Sequence, residues 1–98
     1  MAKIMLVEED NKLREIYGAR LLAEGYRVML ETSGERPIAR VPREVVKIVD
    51  VKCPDSGEPD TFAMENLGHL APHDQIKFVI ATRRDYEFAR DFTRLVLG

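Results

Sequence analysis

The sequence predicts one small α/β domain, built from a four-stranded parallel sheet and about three helices. Short apolar runs typical of strands alternate with amphipathic helical segments and turn-rich stretches along the chain. The segments between the predicted strands are long enough for parallel crossovers, which need about a dozen residues. The 98 residues suffice for a single hydrophobic core, and 45% of them are apolar. We therefore expect residues 1–98 to form one domain.

The beginning of the chain is typical of a βαβ unit with a right-handed crossover. A continuous apolar run at residues 3–7 predicts a strand that is buried on both faces. Asp10 or Asn11 would cap the following helix, and Gly25 would end it, since a left-handed residue is favoured there. Residues 26–30 predict the second strand. The apolar stripe expected to face the core follows helical spacing and consists of Leu13, Ile16, Tyr17 and Leu21.

The remainder of the chain predicts two more strands and two more helices. The β-branched residues 45–51 predict the third strand, and residues 75–80 predict the fourth. A helix is expected over residues 62–70, with Asp60 or Thr61 as its cap. The last helix follows the fourth strand. Its expected apolar face consists of Phe88, Ala89, Phe92, Leu95 and Val96.

Composition excludes several classes of partner and site. A formal net charge of −2 gives no reason to expect nucleic acid or an anionic membrane as a partner. No apolar run approaches the ~20 residues of a membrane span, and the start shows no signal-peptide pattern, so cytoplasmic expression is expected. The single cysteine, Cys53, excludes an internal disulfide and a multi-cysteine metal cage within these residues.

The stretch KIMLVEEDNKLREIYGARLLAEGYRV, within residues 3–30, resembles the first βαβ unit of a bacterial response-regulator receiver domain. In that family the acids after the first strand bind Mg²⁺, so the resemblance implies a divalent-cation site at Glu8, Glu9 and Asp10. Glu9 matches the usual metal-binding aspartate and is one methylene longer, which shifts its carboxylate. The alternative is a solvated helix start, where acids interact favourably with the helix dipole. No later strand matches the phospho-accepting aspartate of receivers.

The stretches ETSGE, VVKIVDVKCPDSGE, ENL, DQIKFVI and RRDYEFA follow one another in residues 31–94. In this order they resemble the C-terminal half of 7-carboxy-7-deazaguanine synthase, a radical S-adenosylmethionine enzyme. That family holds its iron–sulfur cluster with three cysteines, so a chain with one cysteine is expected to hold no cluster and to perform no radical chemistry. Ordinary turn chemistry is the alternative for the polar residues after the strands. The resemblance implies that the positions inherited from the ligand pocket are Thr32, Ser33, Gly34, Lys52 and Ser56.

Two different resemblances that meet within residues 26–34 lead to the hypothesis of an engineered or recombined chimera. Such a scaffold protein would have no native catalytic activity and no catalytic residues. Two rival hypotheses are a Mg²⁺-dependent phosphoryl acceptor of receiver type and a binder of phosphate or nucleotide fragments at the carboxyl ends of the strands.

The strand order can also be predicted. The barrel-like second segment favours the half-barrel-like order 1-2-3-4 over the flavodoxin-like order 2-1-3-4. The first order would place the helices on one face of the sheet and leave apolar residues such as Val49 or Val79 exposed on the other. Because exposed apolar patches of this size usually find a partner, we expect a homodimer that buries these faces.

Overall fold

The computed structural model describes residues 2–7, 10–58 and 61–97. They form a single small α/β domain around one four-stranded sheet. The strands are Lys3–Val7 (β1), Arg27–Thr32 (β2), Val46–Asp50 (β3) and Gln75–Lys77 (β4). The helices are Asn11–Ala23 (α1), the 3₁₀ helix Met64–His69, Arg83–Phe92 (α2) and the π-helical turn Thr93–Leu97.

The sheet is entirely parallel, and its strands lie in the order β1-β2-β3-β4. The half-barrel-like order predicted from the sequence is therefore confirmed, and the flavodoxin-like order is excluded. Lys3 lies opposite Arg27, Met29 opposite Val46, and Ile48 opposite Gln75. Since residues that are partners in this register point to the same side, the register decides which side chains share a face.

One face of the sheet is covered, and it carries the hydrophobic core. The expectation that Val49 would be exposed is wrong, because this residue points to the covered face and is 0% exposed. Val79 follows β4 and is 58% exposed, as expected. The core combines side chains from the sheet, from α1 and from the connections after β2 and β3: Leu6, Leu21, Leu22, Val28, Leu30, Ile38, Val41, Val45, Val49, Phe62, Leu70 and Ile76.

The other face of the sheet is open among the described residues; we call it the open face. It carries Met5 and Val7 of β1, which are 46% and 66% exposed, and alternate residues of the other strands. A buried ion pair lies on the covered side instead. The ammonium of Lys47 is 3.2 Å from the Asp74 carboxylate, which also accepts hydrogen bonds from two backbone N–H groups. This pair fixes the turn before β4 to the start of β3.

Helix α1 has the predicted bounds and ends but only part of the predicted buried face, since Leu21 packs against the core and Leu13 is half-buried. The Asp10 side chain accepts a hydrogen bond from the N–H of Leu13 at its start, and Gly25 follows its end with a φ of 89°. Ile16 and Tyr17 were expected to face the core, yet they are 57% and 44% exposed. Arg14 faces the sheet instead because its guanidinium bonds to polar groups there.

Three other elements differ from the sequence prediction. The helix expected over residues 62–70 is a six-residue 3₁₀ helix, since Asn66 turns its side chain inward to bond a neighbouring loop. Of its two expected caps, Asp60 lies outside the described residues, and Thr61 donates to the carbonyl of Glu58. Strand β4 is three residues long rather than six. Leu95, expected on the buried face of the last helix, is 86% exposed because the π-helical turn changes the helical phase.

Helix α2 is held by aromatic contacts. The ring of Phe92 packs edge-on against Phe62 and Phe78 at 5.6 and 5.8 Å between centroids, and it also contacts Phe88.

None of the described helices is both long and apolar enough to cross a membrane.

Candidate functional site

The carboxyl edge of the open face brings together the charged side chains of three neighbouring strands. Parallel strands of α/β sheets place their ligand sites at this edge, because the loops that follow the strands converge there. Glu31 lies on β2, Asp50 ends β3 and Lys77 ends β4. Lys52 lies two residues beyond the end of β3. The sequence alone did not identify Glu31, Asp50 or Lys77 as site residues.

Two ion pairs order these four side chains. The Lys77 ammonium reaches across β3 to the Glu31 carboxylate at 2.7 Å, and the Lys52 ammonium donates to Oδ2 of Asp50 at 2.9 Å. The hydrogen bond that Lys77 donates to Glu31 is the main cause that raises the pKa of Lys77. The bond to Asp50 likewise raises the pKa of Lys52. Both lysines therefore stay protonated at neutral pH, and neither is suited to act as a general base.

Two oxygen atoms at this edge are buried without a hydrogen-bond partner among the described residues. They are Oδ1 of Asp50 and Oγ of Ser33. Asp50 is only 8% exposed as a residue. Thr32 is the register partner of Val49, so Ser33 and Asp50 follow them on adjacent strands. Because buried polar groups nearly always have a partner, two unpartnered oxygens on adjacent strands make this edge a candidate ligand site.

The turn after β2 is built around Gly34. This glycine has a φ of 79°, and a Cβ atom there would lie 2.8 Å from the backbone oxygen of Asp50. The fully buried Asn66 side chain donates to the carbonyls of Gly34 and Arg36, and it accepts from the N–H of Ile38. The turn is therefore held rigidly against the end of β3, with Ser33 in a fixed position.

A pocket of about 200 Å³ lies beside these residues, between the loop after β3 and the start of α2. Asp85, 1% exposed, shapes its wall by accepting hydrogen bonds from the backbone N–H groups of Asp55 and Ala81. These two bonds are the main causes that lower the pKa of Asp85. The pocket is also lined by Asp50, Lys52 and Ser56.

Cys53 lines the same pocket but is not an activated thiol. It is 1% exposed, and burial raises the pKa of its thiol, with further raising by the charges of Asp85 and Asp50. Since the thiolate is the nucleophilic form, this cysteine stays protonated and unreactive at neutral pH.

The structure brings together most of the ligand-binding positions predicted from the sequence, with two exceptions. Ser33, Gly34 and Lys52 meet at the edge described above. Thr32 is 1% exposed and points to the covered face, where its hydroxyl accepts a hydrogen bond from Arg14 at 2.7 Å. Ser56 lines the neighbouring pocket but not the edge itself. It is exposed, and its hydroxyl accepts a hydrogen bond from the N–H of Glu58 within its own turn.

The divalent-cation site predicted at Glu8, Glu9 and Asp10 falls mainly outside the described residues, because Glu8 and Glu9 do. Asp10 is described, and its carboxylate caps α1. Within the described ranges there is no group of three or more His, Cys, Asp or Glu side chains arranged to hold a metal ion.

Alternation along the strands could have pointed to the missed residues. Residues 48 and 50 lie on the same side of β3. Together with the register between β2 and β3, this alternation places Asp50 next to Ser33 on the adjacent strand. The register itself depends on how the crossovers pack, and no local pattern in the sequence specifies it.

Comparison with known proteins identifies similar enzymes. Over 75 residues, which are 76% of this chain, the sequence is 69% identical to a 7-carboxy-7-deazaguanine synthase of Koribacter versatilis. Over 70 residues it is 36% identical to a protein of the same name from Methanospirillum hungatei. The matches cover 33% and 29% of those proteins, so the chain spans about a third of the length of these curated relatives. No protein-family model and no solved structure matches the chain.

These findings support the resemblance of residues 31–94 and overturn the hypothesis of an engineered chimera without native activity. Residues 31–98 number only 68, so at least seven of the 75 matched residues (75 less 68) precede position 31. The match to the synthase therefore crosses the proposed junction. The phosphoryl-acceptor and phosphate-binder alternatives belonged to that hypothesis and are abandoned with it, and no match supports the receiver resemblance.

The packing agrees with this correction. Arg14, from the segment assigned to a receiver, is 1% exposed and donates to Thr32 Oγ1 and to the Pro37 carbonyl, both at 2.7 Å. Thr32 and Pro37 belong to the segment assigned to the synthase. A buried arginine with two well-placed partners on the other side of the supposed junction indicates one jointly packed unit.

Proposed function

We propose that this chain forms part of a 7-carboxy-7-deazaguanine synthase and that the carboxyl edge of its open face is one wall of the ligand pocket. Two relatives with this name, at 69% and 36% identity, support the assignment. The observation that carries the proposal for the site is the pair of unpartnered buried oxygens on Ser33 and Asp50.

The two oxygens define the chemistry of the ligand group that would bind. Oδ2 of Asp50 is held by Lys52, which leaves Oδ1 to accept one more hydrogen bond. The Ser33 hydroxyl can donate and accept. A group with adjacent donors, such as a ribose diol or an ammonium, fits this pair. S-adenosylmethionine, which the family resemblance implies, carries both kinds of group.

These residues contribute binding and orientation rather than proton transfer. The raised pKa values of Lys52 and Lys77 keep both amines charged, and Cys53 keeps its proton. The ion pair between Lys77 and Glu31 leaves that part of the site neutral overall. The described part of the site therefore presents an oriented carboxylate and a hydroxyl in a partly buried, otherwise charge-balanced surface.

The iron–sulfur cluster implied by the resemblance does not fit the residues present. The sequence contains one cysteine, and Cys53 is buried with its thiol directed to the carbonyl of Val51 at 4.0 Å. A cluster of this type needs several thiolate ligands. We therefore assign no cluster ligand to these 98 residues and derive no step through that group.

Titration of S-adenosylmethionine into the full chain, followed by amide NMR, tests the assignment of the site. We expect shifts at Ser33, Gly34 and the end of β3. Asp50→Asn should weaken binding about tenfold or more, because one charge-assisted hydrogen bond contributes about 1.5–3 kcal/mol. Asp91→Asn is the matched control, since Asp91 is half exposed on α2 and pairs only with Arg90 among the described residues.

A hybrid enzyme tests the function. The 75 matched residues of the Koribacter versatilis synthase would be replaced by those of this chain, and synthase activity would be measured. We expect the hybrid to be active and Asp50→Asn to reduce its activity, while Asp91→Asn leaves it unchanged. A folded but inactive hybrid would contradict the proposed function. Equal effects of the two variants on binding would contradict the proposed site alone.

A further inference from the structure

A recess of about 430 Å³ lies at the amino edge of the sheet, at the other end of the strands from the candidate site. We call it the amino-edge recess. The first residue of every strand lines it: Lys3, Arg27, Val46 and Gln75. Since a strand rises about 3.3 Å per residue, the length of β2 puts about 20 Å between Arg27 and Ser33. The recess is therefore separate from the carboxyl edge of the open face.

Two cationic side chains face the recess from adjacent strands. Lys3 lies directly opposite Arg27 in the parallel register of β1 and β2. Both are exposed, and neither forms an ion pair among the described residues. Like charges directly opposite each other on neighbouring strands repel. An anion between them relieves this repulsion, and the planar fork of an arginine suits a carboxylate in particular.

The lining next to these cations is apolar and aromatic. It includes Leu22, Val28 and Met29, of which Val28 is 1% exposed, and the ring of Tyr26, which is 38% exposed. A volume within about 300–1,000 Å³ and an apolar lining with a few placed polar groups are typical of small-molecule sites. A planar ring fits beside Tyr26, because aromatic rings attract one another in stacked or edge-to-face arrangements. The lining therefore favours an anion with a planar apolar body.

The far wall of the recess carries an acid. Glu44 lies two residues before β3, lines the recess and forms no ion pair among the described residues. Its carboxylate can only accept hydrogen bonds, so it favours a donor on the ligand. With about 4.8 Å between neighbouring strands, the midpoint of β1 and β2 lies about 7 Å from β3. A six-membered ring with a substituent at each end can span this distance.

We infer that the amino-edge recess binds a planar aromatic acid that carries an amino group at the end opposite its carboxylate. The carboxylate lies between Lys3 and Arg27, the ring lies against Tyr26, and the amino group donates to Glu44. Aminobenzoates and amino-substituted heterocyclic acids belong to this class. No residue of the carboxyl edge takes part, so this site is independent of the proposed function.

Titration of 4-aminobenzoate into the full chain, followed by amide NMR, tests the site. We expect shifts at Lys3, Arg27 and Met29. Arg27→Gln should weaken binding about tenfold or more, because the ligand loses a charge-assisted hydrogen bond. Arg83→Gln is the matched control, since the side chain of Arg83 is 91% exposed at the start of α2. Circular dichroism verifies that both variants fold.

Two simpler probes separate the two ends of the ligand. Aniline lacks the carboxylate and should bind at least about tenfold more weakly than 4-aminobenzoate, because nothing then neutralises Lys3 and Arg27. Benzoate lacks the amino group. Glu44→Ala should lower the affinity for 4-aminobenzoate relative to benzoate about fivefold, because only the first ligand bonds to Glu44.

Four outcomes would overturn the inference. The first is the absence of shifts at the amino edge, or shifts confined to Ser33 and Gly34, which would place the probe at the candidate site instead. The second is equal weakening by Arg27→Gln and Arg83→Gln. The third is inorganic phosphate that binds as tightly as 4-aminobenzoate, which would mean that the planar ring contributes nothing. The fourth is an unchanged preference for 4-aminobenzoate over benzoate in Glu44→Ala.

Discussion

Gly34 lets the turn after β2 pack closely against the candidate site, because it has no Cβ atom. Its φ of 79° lies in the left-handed region, and the space where a Cβ would project is taken by Asp50, Phe62 and Val49. Residues other than glycine adopt this conformation at a cost of about 1–2 kcal/mol. The close approach of Gly34 to the backbone of Asp50 also keeps Ser33 beside the Asp50 carboxylate.

We expect Gly34→Ala to destabilise the chain much more than the same change at Gly57. Both glycines have a positive φ, but a Cβ at Gly57 meets nothing within 4 Å, whereas at Gly34 it meets the Asp50 oxygen at 2.8 Å. Gly57→Ala should therefore lower the free energy of unfolding by about 1 kcal/mol and Gly34→Ala by roughly 3 kcal/mol. Urea unfolding of both variants measures the difference.

Gly34→Ala should also weaken binding of S-adenosylmethionine, because the end of β3 must shift to make room. Gly57→Ala should leave this affinity unchanged. Equal losses of stability in the two variants would show that the contact with Asp50 does not restrict position 34.

Asn66 illustrates why a residue-by-residue prediction failed in this region. Residues 62–70 contain enough apolar spacing to predict a helix, but one amide side chain satisfies three backbone groups of the loop after β2. These groups are buried, and leaving them unpaired would cost about 1–3 kcal/mol each. The loop therefore determines the shape of the short 3₁₀ helix. These hydrogen bonds join residues about 30 positions apart, so no periodic pattern in the sequence indicates them.

At the scale of elements, α2 and the loop after β3 form one hydrogen-bonded unit. The Thr82 hydroxyl caps α2 by accepting from the N–H of Asp85, and it donates to the Asp55 carboxylate. The Asp85 carboxylate bonds to the same loop, because it accepts a hydrogen bond from the backbone N–H of Asp55. Thr82 and Asp85 are three residues apart, which is the spacing of a local cap. The bond to the loop joins residues far apart in the sequence and has no such local pattern.

The stability of this unit should depend on pH through Asp85. Backbone hydrogen bonds hold its pKa in the folded state below its ordinary value of 3.8. The unfolded chain therefore takes up the proton first as the pH falls. The contribution of Asp85 to stability is complete above the ordinary pKa and is lost as the pH falls through the lower folded pKa.

Asp85→Asn should consequently make the loss of stability below about pH 5 less steep. Urea unfolding between neutral pH and the acid range measures this slope, with Asp91→Asn as a control for removing an exposed carboxylate. A slope that stays the same in Asp85→Asn would contradict a role of the Asp85 carboxylate in acid unfolding.

Helix α1 shows how far local signals determine an element. Its cap at Asp10 and its end at Gly25 agree with the prediction, because both depend on neighbouring backbone groups. Its buried face agrees only in part: Leu21 packs against the core, but Ile16 and Tyr17 are exposed. The choice of face depends on which groups the sheet presents to the helix. Thr32 and the Pro37 carbonyl present polar groups to the helix, and the guanidinium of Arg14 meets them. A stripe of apolar residues could not indicate this partner.

At the scale of the whole molecule, the single covered face explains where the site lies. The helices and the core cover one face of the sheet. The charged side chains at the strand ends, Glu31, Asp50 and Lys77, therefore lie on the open face, where they remain partly in contact with solvent. The strand order predicted from the sequence is correct, and the prediction came from the resemblance of the second segment to a barrel in which strands add sequentially. The prediction that Val49 would be exposed was wrong, because a shift of the register by one residue exchanges the two faces of a strand.

Arg14 joins the first 30 residues to the rest of the chain through two hydrogen bonds, and its removal tests whether the two parts fold as one unit. We expect Arg14→Met to lower the free energy of unfolding by about 3–6 kcal/mol, because Thr32 and Pro37 lose charge-assisted hydrogen bonds of about 1.5–3 kcal/mol each. For a domain of this size, each kcal/mol lowers Tm by roughly 4–8 °C. Arg20→Met is the matched control on the same helix, since its side chain is 78% exposed and its pair with Glu24 contributes well under about 1 kcal/mol.

Native-state hydrogen exchange separates one unit from two. If the chain folds as one domain, Arg14→Met reduces the protection of the slowest amides in β1, β2 and β3 by the same free energy, because all of them open only when the whole sheet unfolds. Loss of protection confined to β1 and α1 would mean that the first 30 residues unfold independently, and would contradict a jointly packed domain. Since Arg14 and Thr32 lie on opposite sides of the supposed junction, uniform loss is the result that their buried contact requires.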